Sequence, residues 1–303
     1  MNYFYLLSKI CDTKQNVNLQ KYCSIKIGGI GKYVCFPKTI RQVKKLFNFL
    51  ENNKINYYIL GNGTNIVFED SGYSGVLICL KKLNKVYFKN NKVTVYAGAN
   101  LFYLNQLCLK ANYSGLEFSY GIPGTVGGAV CMNAGAFGGE MKDIVKYVWV
   151  LKNGRVVKLQ KKDLEFGYRT SILQKNKKII VLKVQLFLTQ ENICENTTQN
   201  NKILQKMQEI MQKRLKSQPY GTLNAGSIFK KTQNESAGKY IDKLGLKGVK
   251  IEHIQISQIH ANFFINLGKA TSKNLHNVID LTKEKVQNKF GIILEQEVIF
   301  VGD

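Results

Sequence analysis

The sequence predicts a mixed α+β protein with two domains. At 303 residues the chain is long enough for two domains with ample cores. From residue 20 to residue 190, short β-like runs alternate with turns rich in Gly and Asn, and two helix-like stretches interrupt them. A polar, Asn-rich connection at 189–201 precedes a second mixed region. We therefore predict one domain at 20–190, split into two subdomains near residue 75, and another at 200–303.

The elements of the first domain follow from residue type and spacing. Helices are predicted over Ile40–Glu51 and Leu101–Ala111, because apolar residues recur there at helical spacing. The predicted strands are short apolar runs bounded by turn residues: Lys32–Phe36, Tyr57–Leu60, a strand starting at Ile66–Phe68, Gly75–Leu80, Lys92–Tyr96, Tyr147–Lys152, Arg155–Leu159 and Lys178–Leu188.

The same patterns continue in the second domain. Helical spacing predicts helices at Ile203–Ser217, Ala237–Leu244 and Ser272–Phe290. Strands are predicted at Phe263–Asn266 and Ile292–Phe300.

Composition limits the class of protein. Hydrophobic residues make up 45% and charged residues 21%, which is ordinary for a soluble globular protein. No apolar run approaches the length of a membrane span, and Met1–Ile10 lacks the basic start of a signal peptide. The seven cysteines are widely spread and contain no CxxC pair, which favours a reducing compartment and argues against a metal site or disulfide framework. We expect a cytoplasmic protein.

The net charge of +24 calls for a separate interpretation. Only four of the 44 basic residues are Arg, the side chain that recognises phosphates and guanines with two hydrogen bonds. The excess is Lys, scattered with Asn and Ile. We interpret it as compositional bias and expect no specific nucleic-acid partner, only a weak attraction to acidic polymers.

Two glycine-rich loops are the main candidates for cofactor binding. Seven of the twenty residues in Gly121–Glu140 are Gly, which allows close backbone approach and exposes N–H groups to a phosphate. Neither a P-loop nor a Rossmann fingerprint is present. The loop after Leu60 combines Gly with short polar residues. The alternatives are a packed turn system and a plain hairpin tip. The predicted cofactor-binding residues are Gly61, Asn62, Gly63, Thr64, Asn65, Gly121, Ile122, Pro123, Gly124, Thr125, Gly127, Gly128 and Ala129.

Three further residues are candidates for chemistry. Arg169 lies among small and aromatic residues and could pair with a carboxylate of substrate or protein, or form a weak surface ion pair. Ser227 follows Ala-Gly, so a ligand could reach its hydroxyl; the alternative is a serine in a turn. Glu297, with Glu295, lies in an apolar run at strand spacing, either facing inward or on a solvent-facing side.

Other polar residues complete the prediction. The predicted substrate-binding residues are Arg214 and Lys230. Arg214 is one of only four Arg residues in the chain, and Lys230 follows closely after Ser227. His260 is expected to be a hydrogen-bonded structural histidine. The glycine-loop half contains no histidine, which excludes a flavin attached there through histidine.

With these segments the chain resembles the UDP-N-acetylenolpyruvoylglucosamine reductase family from about Ser24 to Val301. The resemblance rests on the order of several motifs: SIKIGGIGKYVCFP (24–37), LGNGTNIV (60–67), GLEFSYGIPGTVGGAVCMNAGAFGGE (115–140), YRTS (168–171), NAGSIFK (224–230), AGKYIDKLGLKG (237–248), HANFFIN (260–266) and LEQEV (294–298). The chain departs from the family pattern at Ile30 and Gln296, where Pro is usual, and at Lys231-Thr232, where Asn-Pro is frequent.

The resemblance implies a fold and an activity. It implies an FAD-binding domain of the vanillyl-alcohol-oxidase/p-cresol-methylhydroxylase type followed by a substrate domain, in the shorter of the family's two forms. It implies non-covalent FAD, NADPH as hydride donor, and an enolpyruvyl sugar nucleotide, UDP-N-acetylglucosamine enolpyruvate, as the substrate reduced in peptidoglycan precursor synthesis. Ser227 is then the proton donor, while Arg169 and Glu297 polarise the substrate. We expect a monomer.

Two other functions remain open at this point. One is a flavin-dependent sugar or alcohol oxidase of the same fold, which would lack the pair formed by Ser227 and Glu297. The other is a basic nucleic-acid-binding protein, which would bind in a salt-sensitive way and carry no flavin.

Overall fold

The computed structural model describes residues 3–176, 178–191 and 198–303. The chain forms two compact units, and each is assembled from three separate stretches. The first comprises Met1–Lys14, Tyr33–Asn62 and Gly75–Lys213, and the second comprises Gln15–Lys32, Gly63–Ser74 and Arg214–Asp303. Most of the predicted connection at 189–201, including Cys194, lies outside the described residues. The contiguous limits 20–190 and 200–303, with a split near 75, stay predictions.

The secondary structure alternates helices and strands along the described chain. The helices are α1 (Phe4–Ile10), α2 (Ile40–Asn52), α3 (Leu101–Lys110), α4 (Val126–Cys131), α5 (Met141–Ile144), α6 (Ile172–Lys175), α7 (Thr198–Ser217), α8 (Ala237–Lys243) and α9 (Ser272–Phe290). The strands are β1 (Asp12–Asn18), β2 (Ile30–Phe36), β3 (Tyr57–Leu60), β4 (Ile66–Phe68), β5 (Tyr73–Cys79), β6 (Val86–Lys89), β7 (Lys92–Tyr96), β8 (Tyr113–Ser114), β9 (Gly135–Ala136), β10 (Gly139–Glu140), β11 (Val145–Lys152), β12 (Arg155–Gln160), β13 (Ile180–Phe187), β14 (Thr189–Gln190), β15 (Asn224–Ser227), β16 (Lys250–Ile251), β17 (Ile254–Ile256), β18 (Phe263–Asn266) and β19 (Ile299–Val301).

A five-stranded antiparallel sheet organises the first unit. Its strand order is β12-β11-β13-β7-β6. Successive side chains of a strand point to opposite faces, so Val148 and Val150 are buried on the inner face while Tyr147 and Trp149 point outward. The inner face packs into a core that includes Val93, Leu101 and Val130.

The predicted helix after residue 39 packs into the same core. Val43, Leu46 and Leu50 of α2 are buried along one face, as the apolar spacing predicts. The hydroxyl of Thr39 accepts the N–H of Gln42 at 3.2 Å and so caps the start of the helix. The helix predicted at Ile40–Glu51 is confirmed.

The second unit has its own antiparallel sheet, of order β15-β18-β17-β16. Within that unit β19 also pairs with β4 in parallel. The long helix α9 starts with a capping box formed by Thr271 and Asn274, and it ends at Gly291, which has a φ of +68°. The sequence pattern predicted its bounds, Ser272–Phe290, correctly.

One predicted strand is wrong in its extent. Ile292–Phe300 is not one continuous strand, because pairing with β4 starts only at Ile299. The preceding residues 294–298 are held by single contacts to the segment after Ser227, among them a bridge between Phe229 and Gln296. The alternating apolar pattern is real, but its residues contact a loop-like segment rather than a sheet edge.

The structure adds elements that the sequence did not predict. Strand β1 consists mainly of polar residues, so it lacks an apolar pattern. Helix α4 lies inside the glycine-rich segment.

Among the described residues, no helix is long and apolar enough to cross a membrane.

Candidate active site

The two glycine-rich loops meet inside the first unit. A Cβ atom placed on Gly61 would lie 2.5 Å from the Oγ1 of Thr125, a distance that real Cβ atoms do not show. Glycine at position 61 therefore lets the loop after β3 touch the loop before α4. Thr125 is 3% exposed, and its hydroxyl faces the N–H of Gly128 at 3.4 Å. The sequence predicted both loops, and the structure brings Gly61 and Thr125 together.

The amides of α4 are used mainly inside the protein. The N–H groups of Val126 and Gly127 donate to the carbonyls of Ala99 and Ala97, at 2.9 Å and 2.8 Å, and that of Ala129 donates to Thr125 O at 2.9 Å. The segment is thus partly the packed turn system that was the alternative interpretation. Any backbone donors for a ligand must come from elsewhere in the two loops.

Adjacent glycines of α4 have different surroundings. A Cβ on Gly127 would lie 2.8 Å from the Cβ of Ala97, so Gly127 is needed for packing. A Cβ on Gly128 would meet only Thr125 Oγ1, at an ordinary 3.5 Å, and Gly128 is exposed. Gly128 therefore presents bare backbone at the surface where the loops meet.

The remaining part of the first loop belongs to the second unit. The N–H of Ser24 donates to Gly63 O at 2.9 Å, and a Cβ on Gly63 would lie 2.0 Å from Tyr22 O. The side-chain amide of Asn65 donates to the carbonyl of Glu297 at 3.1 Å. Within this unit, the predicted cofactor loop and the predicted catalytic Glu297 are therefore joined directly.

Arg169 lies in a tight turn anchored to the glycine-rich segment. Its backbone has a φ of +54°, which is unusual for a residue with a side chain. One guanidinium nitrogen, Nη2, donates to Gly135 O at 2.8 Å. Two neighbours hold the turn in place: the buried Ser171 hydroxyl donates to Cys131 O at 2.7 Å, and the Asn133 amide donates to Gly167 O at 3.0 Å.

Ser227 and Glu297 lie on adjacent segments of the second unit. Ser227 ends β15, just after an irregularity in the pairing with β18, and is half-buried. The N–H of Glu297 donates at 2.8 Å to the carbonyl of Ile228, the residue after Ser227. On its other side Ile228 donates to Asn262 O at 2.9 Å. The Ser227 segment is therefore fixed between β18 and the Glu297 segment.

The predicted substrate-binding residues have protein partners. Lys230 forms an ion pair with Glu295, whose carboxylate is largely exposed. Arg214 is 5% exposed near the end of α7, and its Nη1 donates to the Gln218 side chain at 2.8 Å. Burial lowers the pKa of Arg214 from its ordinary value.

Comparisons with known proteins identify two domains and the family. A model of the FAD binding domain matches residues 31–160, and a model of the UDP-N-acetylenolpyruvoylglucosamine reductase C-terminal domain matches residues 218–301. The UDP-N-acetylenolpyruvoylglucosamine reductase of Clostridium novyi (strain NT) is 38% identical over 96% of this chain and 93% of that protein. The chain belongs to this reductase family. It is an FAD-dependent oxidoreductase with an FAD-binding domain and a C-terminal domain typical of the family.

Two further relatives have the same name. The reductase of Petrotoga mobilis (strain DSM 10674 / SJ95) is 41% identical over 96% of this chain and 95% of that protein. The crystal structure of the reductase from Thermus caldophilus has a TM-score of 0.80 and 32% identity, and it covers 96% of this chain and 100% of that chain.

The glycine loops fit the FAD that this reductase family requires. Gly61 and Gly127 allow close packing, and Gly128 leaves open space at the surface, as expected of a cradle for a dinucleotide. The loop before α4 also contacts Ala97, Ala99 and Asn100, which the sequence analysis did not single out. Their signal was the Ala-Gly-Ala-Asn run that ends with the cap of α3.

His260 is structural, as predicted. Its Nδ1 accepts the N–H of Asn262 at 3.2 Å, and its ring meets the edge of Phe263 at 4.9 Å. Burial lowers its pKa from the ordinary value. Among the residues that the structure describes, no cluster of three or more His, Cys, Asp or Glu could hold a metal ion.

Proposed function

We propose that the chain reduces the enolpyruvyl ether of UDP-N-acetylglucosamine to UDP-N-acetylmuramate in peptidoglycan precursor synthesis, with NADPH as the reductant. The observation that carries this proposal is the direct backbone pairing of the Ser227 segment with the Glu297 segment, in a chain that also has an FAD-binding domain. An oxidase of the same fold has no need for such a pair.

The substrate dictates which groups the reaction requires. Its carbon–carbon double bond is conjugated to a carboxylate, so reduction adds a hydride to the terminal carbon and a proton to the carbon next to the carboxylate. The loops at 61–65 and 121–129 would hold FAD, which would supply the chemistry of hydride transfer with NADPH as the source. The protein must stabilise the charge that develops on the carboxylate and supply the proton.

Ser227 is the proposed proton donor. A serine hydroxyl is a weak acid. It can therefore donate its proton to the substrate carbon only if it is held in a well-defined position. The hydrogen bonds of Ile228 to Asn262 and Glu297, at 2.9 Å and 2.8 Å, fix the backbone beside it from two sides. Ser227 is half-buried at the end of β15, so the residue is partly accessible to a ligand.

Arg169 and Glu297 are proposed to polarise the substrate carboxylate. The Gly135 carbonyl holds one nitrogen of the Arg169 guanidinium, which orients the group. A guanidinium has several donors in a rigid plane, a geometry that suits the binding of an anionic oxygen. Glu297 is half-buried, and the hydrogen bonds of its N–H and carbonyl fix the backbone that carries its carboxyl group.

The other proposals concern the binding of substrate and FAD, the oligomeric state, the cellular location and the domain limits. Arg214 and Lys230 are proposed to bind the substrate, with Lys230 exchanging Glu295 for an anionic group. The FAD contacts are assigned to the loops at 61–65 and 121–129. We further propose a monomer in the cytoplasm, with the FAD-binding domain at 20–190 and the substrate domain at 200–303.

Absorbance spectroscopy tests the proposal. Purified protein reconstituted with FAD should show a flavin spectrum, release intact FAD on denaturation, bleach with NADPH under anaerobic conditions, and recover its colour when the enolpyruvyl sugar nucleotide is added. Mass spectrometry should then show a product two hydrogen atoms heavier. Recovery of colour with oxygen but not with this substrate would contradict the proposal and favour an oxidase.

A further inference from the structure

The outer face of the five-stranded sheet carries aromatic rings and lysines in registered rows. One row runs across four neighbouring strands and alternates cation and ring: Lys158, Trp149, Lys183 and Tyr96. The next row contains Tyr147 and, at its far end, Tyr87. We call these six residues the aromatic–lysine face.

The lysines lie over the rings. The Nζ of Lys158 is 3.7 Å from the centre of the Tyr147 ring and 5.3 Å from that of Trp149. The Nζ of Lys183 is 4.4 Å from the centre of the Trp149 ring. These cation–π contacts place the ammonium groups next to aromatic rings on the outer face of the sheet.

The central rings of the face, Tyr147 and Trp149, lie outside the hydrophobic core, whereas Tyr96 packs against it. Val148 and Val150 alternate with the outward rings and are fully buried on the opposite side. Tyr87 is 51% exposed, while Tyr147 and Trp149 are half-buried. Along these five strands, all of which the structure describes, no outward position carries Asp or Glu. The charges of the face are therefore all positive, and its rings range from half-buried to exposed.

A basic groove continues the face at the Tyr147 end. It has a volume of about 600 Å³, and its lining residues include Tyr147, Lys146, Lys161 and Lys162. The acidic residue of this groove is Asp143, whose carboxylate accepts the N–H of Glu140 at 2.9 Å. An extended anionic chain that crosses the face could continue into this groove.

We propose that the aromatic–lysine face binds single-stranded nucleic acid without sequence preference. The lysines over the Trp149 and Tyr147 rings have flexible side chains, which can move off the rings to pair with phosphates. Every base has a flat surface that can then stack on these rings. A second copy of this chain is a poor occupant, because two uniformly basic faces repel each other. None of the six residues of this face is Arg, the side chain that most often recognises base edges through its guanidinium group. We therefore expect no sequence preference. This activity is separate from the reductase site.

Trp149 gives the test a local reporter, because it is the only Trp of the chain. Protein reconstituted with FAD is titrated with a short oligouridine and, separately, with dextran sulfate, which has anionic groups but no bases. We expect the oligouridine to quench the Trp149 fluorescence and dextran sulfate to leave it nearly unchanged. Equal quenching by both polymers, or quenching by neither, overturns the proposal.

Matched variants separate stacking from charge. Tyr147→Ala and Trp149→Ala should each weaken binding of labelled oligouridine about tenfold in fluorescence anisotropy. The double variant Lys158→Gln with Lys183→Gln should reduce the slope of log K against log salt by about 1.4. The control is Tyr5→Ala with Lys9→Gln, another exposed ring with a lysine 4.2 Å from its centre, but on α1.

The outcomes are decisive in both directions. Unchanged FAD content in every variant shows that the fold is intact. If the control weakens binding as much as the sheet variants, the charge of the whole chain is responsible and the proposal fails. If polyglutamate displaces the oligouridine and quenches Trp149 equally, the face recognises acidic proteins instead.

Discussion

Ser227 should matter in only one half of the catalytic cycle. Ser227→Ala should leave the reduction of FAD by NADPH nearly intact, because that step needs no proton from the protein. Reoxidation by the enolpyruvyl substrate should slow by about 10²–10⁴-fold, the usual contribution of general acid catalysis. Stopped-flow absorbance under anaerobic conditions measures both halves.

Ser24→Ala is the matched control for that experiment. Its hydroxyl donates to Asn224 O at 2.6 Å, at the other end of the same strand, so its loss should lower stability rather than slow reoxidation. If Ser227→Ala slows both half-reactions equally, Ser227 is not the proton donor.

Arg169 combines a side-chain role with an unusual backbone. Because Gly135 O occupies one of its guanidinium nitrogens, a lysine cannot hold this carbonyl and a substrate oxygen with the same geometry. Arg169→Lys should therefore lower kcat/KM about 10- to 100-fold, the loss of one charge-assisted hydrogen bond. Arg155→Lys, on exposed β12, is the control and should show wild-type kinetics.

The backbone of the same residue can be tested separately. At a φ of +54°, a residue with a Cβ atom is sterically strained, whereas glycine is not. Arg169→Gly should thus be more stable than Arg169→Ala by about 1 kcal/mol in chemical denaturation. Equal stability would mean that the turn relaxes when the guanidinium is lost.

At the scale of elements, α4 offers two neighbouring glycines with opposite expected effects. Gly127→Ala places a Cβ 2.8 Å from that of Ala97 and should destabilise the protein, by about 1–3 kcal/mol for an overpacked site. Gly128→Ala meets no such obstacle and should stabilise the FAD-free protein by up to about 1 kcal/mol through helix propensity. If FAD lies over Gly128, the same change should weaken FAD binding, which flavin fluorescence measures. An unchanged FAD affinity would place the cofactor away from α4.

The segment before β19 explains why proline suits position 296. The bridge between Phe229 and Gln296 uses the N–H of Lys230 and the N–H of Glu297, which donate to Glu295 O and Ile228 O at 2.8 Å each. The N–H of Gln296 is not part of this bridge. Gln296→Pro should therefore be tolerated and should raise the free energy of unfolding by about 0.4–1 kcal/mol, through reduced freedom of the unfolded chain. Glu297→Pro, which removes a donor, should be destabilising in the same denaturation assay; a loss of stability in Gln296→Pro would refute the argument.

Elements with a clear apolar period could be predicted from the sequence, whereas α4 could not. The spacing of Val43, Leu46 and Leu50 predicts α2 directly. Helix α4 contains Gly127 and Gly128, which disfavour a helix, and it is held by the Thr125 cap and by packing on Ala97. Such tertiary contacts leave no periodic signal in the sequence.

The candidate site shows the same limit. The scarcity of Arg drew attention to Arg169, and the glycines drew attention to both loops. The contact of Arg169 with Gly135 joins residues 34 positions apart, and that of Asn65 with Glu297 joins residues 232 positions apart. No local pattern encodes these separations, so the sequence supplied the residues and the fold supplied their partners.

At the scale of the whole molecule, the charge balance dominates the surface electrostatics. With 44 basic and 20 acidic residues, cations outnumber anions by 24, so the positive charges cannot be matched one to one. Local ion pairs such as Lys243–Glu235, at 3.0 Å, and Lys247–Asp242, at 2.7 Å, are exposed and contribute little. The net charge of +24 should therefore destabilise the folded chain through self-repulsion at low ionic strength.

Salt should consequently stabilise the protein while it weakens any polyanion complex. Raising NaCl from about 10 mM to about 150 mM shortens the screening length from about 30 Å to about 8 Å, which removes most of the repulsion between distant lysines. We expect Tm at neutral pH to rise by a few degrees over this range, measured by circular dichroism on the FAD-loaded protein. Sucrose at matched osmolality is the control, since it adds no screening. A Tm that falls with NaCl would mean that the exposed Lys–Glu and Lys–Asp pairs outweigh the repulsion, because screening would then remove more attraction than repulsion.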